Sequence, residues 1–174
     1  MHLKTRICHL GSSINTRTEK HGDEDVAAID IPITDFALGA TELNSITGEP
    51  HAHRALFDKS KSPVEPIFRG FKAFALKDKF EDCTAELLLG LGREPLRLTG
   101  CKVARVKLEP LTGGMTGMDF LIQLTPDLAI MPTLMAHMGH EIELSIDVGK
   151  RVEKTDSRQQ KLGLKEGEGE EDDE

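Results

Sequence analysis

Residues Glu141-Ile-Glu-Leu-Ser-Ile-Asp-Val148 alternate without a fault: Ile142, Leu144, Ile146 and Val148 share one parity, while Glu141, Glu143, Ser145 and Asp147 take the other. Successive side chains of a strand point to opposite faces, so this segment has to be a half-buried strand. The same period runs through residues 26–34, where Ile29, Ile31 and Ile33 oppose Asp30, Pro32 and Thr34. Pro32 has no N–H for a ladder and must lie at an edge or a bulge.

Further strand candidates are residues 3–18, with Gly11-Ser-Ser13 as a candidate interruption, and 68–76, 84–90, 96–108 and 118–124. Glycine-bearing segments at 20–25, 90–92 and 112–117 supply the turns. A short helix or turn is expected at 41–47 and another at 51–58, followed by a loop marked by Pro63 and Pro66. A helix is also expected over 126–138, capped by Thr125, kinked or restarted at Pro132 and ended by Gly139. Strands that follow one another through short turns predict a mostly β fold: an antiparallel sandwich or OB-like barrel with one or two short helices. Residues 1–149 are expected to form one domain, and residues 150–174 a mixed-charge linker and a disordered acidic tail.

The net charge of the chain is −8, and the tail alone supplies −7 through Glu166, Glu168, Glu170, Glu171, Asp172, Asp173 and Glu174. A segment so charged and glycine-rich does not pack. Cys8, Cys83 and Cys101 are odd in number and widely spaced, which predicts buried reduced thiols rather than a disulfide framework or zinc ribbon. No apolar run reaches the ~20 residues of a membrane-spanning helix, and the first residues carry no signal-peptide pattern. The expected location is the cytoplasm, with no membrane partner.

No motif carries chemistry on its own. His137 and His140 lie three apart, and His51 and His53 flank Ala52. Either pair brings two ligands where a metal needs three or four, and a helix end accommodates histidine without one. The acidic turn around Asp23, Glu24 and Asp25 lacks the spacing of a calcium loop. The glycine stretches match no phosphate loop, and no nucleophile elbow is present. Cys8 and His9 are adjacent, so on a strand they face opposite ways. The expectation is a non-enzyme with neither metal nor cofactor.

The cations are more suggestive. Arg69, Lys72, Lys77 and Lys79 interleave with Phe71 and Phe74, and Arg93, Arg97, Lys102, Arg105 and Lys107 follow. If their strands pair, they form a stripe able to neutralise phosphates, with Phe71 or Phe74 stacking a base. Parity opposes this, because Lys102 and Arg105 fall on opposite faces unless a bulge intervenes. Ordinary core phenylalanines and a solvated sheet face would give the same pattern. The absence of Tyr and Trp also weakens any stacking platform.

The charged turn and strand Thr18-Glu-Lys-His-Gly-Asp-Glu-Asp-Val-Ala-Ala-Ile-Asp-Ile31 resembles the N-terminal part of small uncharacterised proteins from the early regions of tailed phages and prophages. The later run Leu108-Glu-Pro-Leu-Thr-Gly-Gly-Met-Thr-Gly-Met-Asp-Phe-Leu-Ile-Gln-Leu124 resembles their second hairpin. The resemblance covers about 100 residues and transfers no catalytic residue. It implies a protein acting near replication or recombination in a host cytoplasm. The acidic tail is similar in kind to those of phage single-stranded-DNA-binding proteins, but lacks their terminal aromatic residue. The leading expectation is therefore an accessory protein that binds single-stranded nucleic acid and is modulated by its tail. The alternative is a protein-interaction module that inhibits a host or defence factor through the tail or a strand edge. Exposed edges also leave self-association open.

Overall fold

The computed structural model describes residues 1–152, less positions 22–23, 69, 71, 91–93, 126 and 128; of residues 20, 21 and 24 it describes the backbone. In chain order the elements are β1 (His2–Leu10), β2 (Asn15–His21), β3 (Glu24–Leu38), α1 (Ala40–Thr47), α2 (Ala52–Leu56), β4 (Phe57–Asp58), β5 (Glu65–Pro66), β6 (Phe74–Ala75), β7 (Lys79–Leu88), β8 (Leu96–Pro110), β9 (Thr116–Leu124), α3 (Met131–Ala136), β10 (Glu141–Asp147) and β11 (Lys150–Val152). Six strands close into an antiparallel barrel in the order β7-β10-β1-β3-β9-β8, with β8 returning to β7. β2 extends β3, β6 lies on β8, and β11 lies on β7, while β4 and β5 pair apart from the barrel.

The alternating segments form the wall as their period demands. Ile29, Ile31, Ile33, Ile142, Leu144 and Ile146 are buried, and Glu141, Glu143 and Asp147 are exposed. Phe36 and Phe120 meet edge-to-face at 6.0 Å in the core, which also takes Leu43 and Ile46 from α1.

A ring this small needs sharp local curl, which β-bulges provide. The ladders shift register at 33/36 on β3, 80/83 on β7, and 104/107 on β8, with a further shift between the 83/101 and 85/98 pairs. Each shift holds one residue in the left-handed region: Asp35, Asp82, Arg105 and Gly100, with φ of 62°, 56°, 53° and 64°. Pro32 sits opposite the break between β1 and β2, where its missing N–H leaves no rung empty. Its carbonyl accepts the Gly11 N–H at 2.8 Å.

Three expectations are corrected. Of the described residues in 68–76 only Phe74 and Ala75 form a strand, β6, and Leu76 already turns to bond the Val106 carbonyl. The helix over 126–138 shrinks to α3, with Ile130 rather than Thr125 as its N-cap and Pro132 in the first turn, where a missing N–H costs nothing. The ordered ladder also runs past Gly149, because Lys150–Val152, read as linker, is β11 on β7. Gly149 makes this possible, as a Cβ there would overlap the carbonyl oxygens of Glu81 and Asp82 at the β7 bulge. Among the described residues no helix is long and apolar enough to cross a membrane.

Candidate anion-binding cleft

β7 pairs with β8 only as far as the Phe80–Val103 rung, and beyond it β8 pairs instead with β6 at Phe74–Leu108 and Ala75–Lys107. The chain from β6 to β7 therefore crosses the barrel seam and leaves a cleft of about 580 Å³. Lys77, Lys79, Arg105 and Lys107 line it, together with Asp78 and an apolar floor of Ala75, Leu76 and Ala104. Lys102, Arg105 and Lys107 all lie on the outer face of β8, because the bulge between Ala104 and Lys107 reverses the parity.

Ion pairs divide these cations. Lys79 holds Glu81 at 2.8 Å, and Asp78 is taken by Arg151 of β11 at 2.7 Å. The Lys79 hydrogen bond keeps the Glu81 carboxyl below the usual carboxylate range despite its partial burial. Lys77, Arg105 and Lys107 have no ion-pair partner among the described residues. The positive charge ends abruptly at Lys107, which also borders a smaller cleft of about 110 Å³ containing Asp35, Glu109 and Asp119.

The other predicted site residues that the structure describes do not line this cleft. Lys72 is exposed on the segment before β6. Arg97 lies farther along β8, 3.6 Å from Glu86 and directly opposite it on β7. Lys102 is tied 3.4 Å from Glu19, inside a network in which Asp30 accepts from Arg17 at 2.6 Å and from Gln123 at 2.9 Å. Burial opposes ionisation of Glu19, but the Arg17 hydrogen bond and the Lys102 charge outweigh it and hold the carboxyl below its usual range. Phe74 is half-buried and packs against the core. Arg69, Phe71, Arg93 and the acidic tail lie outside the described residues. Phe68, which received no role in the sequence, is exposed beside the exposed Ile67.

Two of the candidate histidines have structural partners. His53 is buried, stacks on Phe57 at 4.7 Å and donates from Nε2 to the Gly114 carbonyl at 2.9 Å. His137 donates from Nδ1 to the Thr133 carbonyl at 2.8 Å. No group of three or more His, Cys, Asp or Glu among the described residues is placed to hold a metal. Cys8, Cys83 and Cys101 are buried and free; burial, then Asp35, pushes the Cys8 thiol up to about 12. The chain matches no protein-family model, no curated protein and no solved structure.

Proposed function

We propose that this barrel binds single-stranded nucleic acid through phosphate contacts in the seam cleft, without catalysis, as an accessory to phage or prophage replication or recombination in the host cytoplasm. The observation that carries the binding reading is the cleft itself, where three cations without ion-pair partners among the described residues face an apolar floor. One of them, Arg105, is held at a φ of 53°, a backbone conformation that costs a non-glycine residue roughly 1–2 kcal/mol. The phage setting rests on the sequence resemblance alone.

The acidic tail belongs to the same reading as a competitor for the cleft. Val152, the last described residue, is in register with Lys79, and Arg151 bonds Asp78, so the chain leaves β11 beside the cleft wall. Residues 166–174 follow with seven carboxylates.

The test is a titration of a labelled ~30-nucleotide strand at 50 and 200 mM salt, with the full chain and with a chain ending at Lys165. About three phosphate contacts predict a log–log salt slope of roughly −2, a loss of about 20-fold over that range. Shortening should tighten binding. Absence of binding by both chains at 50 mM would remove the nucleic-acid reading. The alternative, a protein-interaction module, is favoured by the exposed Ile67 and Phe68, with Ile67 lining a second cleft beside Arg54 and Lys59. Pull-down from host lysate would then take over.

A further inference from the structure

Among the described residues the cations of the seam cleft form an island, and this bears on which part of a nucleic acid can occupy it. On one side Lys107 adjoins the cleft of Asp35, Glu109 and Asp119. On the other, Lys79 and Lys102 are already held by Glu81 and Glu19. A single strand lying across the barrel would run its phosphates from the island onto carboxylates in either direction. A continuous basic groove is what tracking an internal strand requires, and β8 does not supply one.

We infer that the cleft takes a phosphomonoester, the phosphate at the end of a strand or on a nucleotide, rather than the internal phosphodiesters of a strand. This inference rests on the anion-binding reading above and narrows its ligand. A terminal phosphate carries about −1.5 to −2 at neutral pH, against −1 for an internal diester. It concentrates that charge on three oxygens, which suits three cations crowded round one space. Arg105 has the planar fork for a bidentate contact, and Lys77 and Lys107 add point charges. A volume of about 580 Å³ is in the range of small-ligand sites. The floor of Ala75, Leu76 and Ala104 offers an apolar surface to the attached sugar or base.

The experiment uses the full chain and fluorescent 30-mers of one sequence bearing a 5′-phosphate, a 3′-phosphate or only hydroxyl ends. A circular single strand and a nucleoside 5′-monophosphate serve as competitors. A phosphorylated end should bind about tenfold tighter than a hydroxyl end, and the advantage should shrink below pH ~6 as the second phosphate proton returns. The circle should compete no better than the hydroxyl-ended strand. Arg105→Gly, which tolerates the bulge conformation, and Lys107→Gln should each abolish the advantage while circular dichroism stays unchanged. Competition by the mononucleotide as strong as by the phosphorylated strand identifies a free nucleotide as the ligand within the same class. Equal affinity for phosphorylated, hydroxyl-ended and circular strands overturns the inference and leaves the nucleic-acid reading standing. Binding of the mononucleotide without any strand removes the nucleic-acid reading and upholds the phosphomonoester, while no binding of any probe overturns both.

Discussion

Lys102 and Arg105 project from the same outer face of β8 although an odd offset in sequence would put them on opposite faces of a regular strand, because the chain takes one extra residue between Ala104 and Lys107. That residue gives the cleft its guanidinium and costs the backbone a positive φ. Stability and binding are thereby set against each other at one position. Arg105→Gly should raise stability by about 0.5–1 kcal/mol, since glycine reaches this region freely but loses more entropy on folding. It should also weaken nucleic-acid affinity. Urea denaturation and strand titration on one preparation check both signs; a variant that is less stable contradicts the strain argument.

Gly11 and Pro32 form a second such pair. A Cβ on residue 11 would stand 2.8 Å from the Pro32 Cβ and 3.2 Å from its carbonyl oxygen. Gly11→Ala is expected to cost about 1–3 kcal/mol, as overpacking does. The readout is the urea midpoint, with an unchanged m-value showing that the loss lies in the folded state.

Asp30 is buried and serves as acceptor for both Arg17 and Gln123. Asp30→Ala strands both donors and should cost about 2–3 kcal/mol. The network also fixes the acid limb of stability. The Glu19 carboxyl is held below its ordinary value of 4.5, so its contribution is full above that pH and is lost as pH falls through the lower folded value. Glu19→Gln should flatten the decline of the urea midpoint below pH 4.5.

The thiols govern the alkaline limb with the opposite sign. Burial raises Cys8 to about 12 and Cys101 to about 11, against an ordinary value of 9.0. Their contribution is full below pH 9 and declines above it, as the unfolded chain ionises while the folded one does not, until the folded thiols titrate. The urea midpoint should therefore fall between pH 8 and pH 10.5, and less steeply in Cys8→Ala. Ellman's reagent at pH 8 should find the three thiols unreactive until denaturant is added.

Much of the barrel is written in the parity of its apolar residues, including parts that period-2 reading alone passes over. Ile29, Ile31 and Ile33 are odd and Phe36 and Leu38 even, which marks the bulge at Thr34-Asp35. Cys101 and Val103 are odd and Val106 and Leu108 even, which marks the bulge that carries Arg105. Phe80 gives way to Cys83, Ala85 and Leu87 in the same manner. Taken as bulges, those switches resolve the conflict between Lys102 and Arg105. The ion pairs between distant strands were not legible: Glu19 reaches Lys102 across 83 residues, and Arg151 reaches Asp78 across 73. The stretch around β6 misled because its phenylalanines recur among polar residues, yet of its described residues only Phe74 and Ala75 find a strand to pair with.

Closure of the ring also bears on how the chain tolerates crowding. Strand edges are where β proteins seed aggregates, and the closed order leaves its six members unpaired only in part, at the β7–β8 seam and where β1 meets β3 at two rungs. Further edges belong to the appended strands. β6 and β11 are two and three residues long, too short to template a growing stack. β2 offers seven residues, yet its central Arg17 and Glu19 are engaged with each other and with Asp30 and Lys102 on the molecule's own surface. A second copy seeking that edge would meet charges already spoken for, so the fold discourages self-templating along β2.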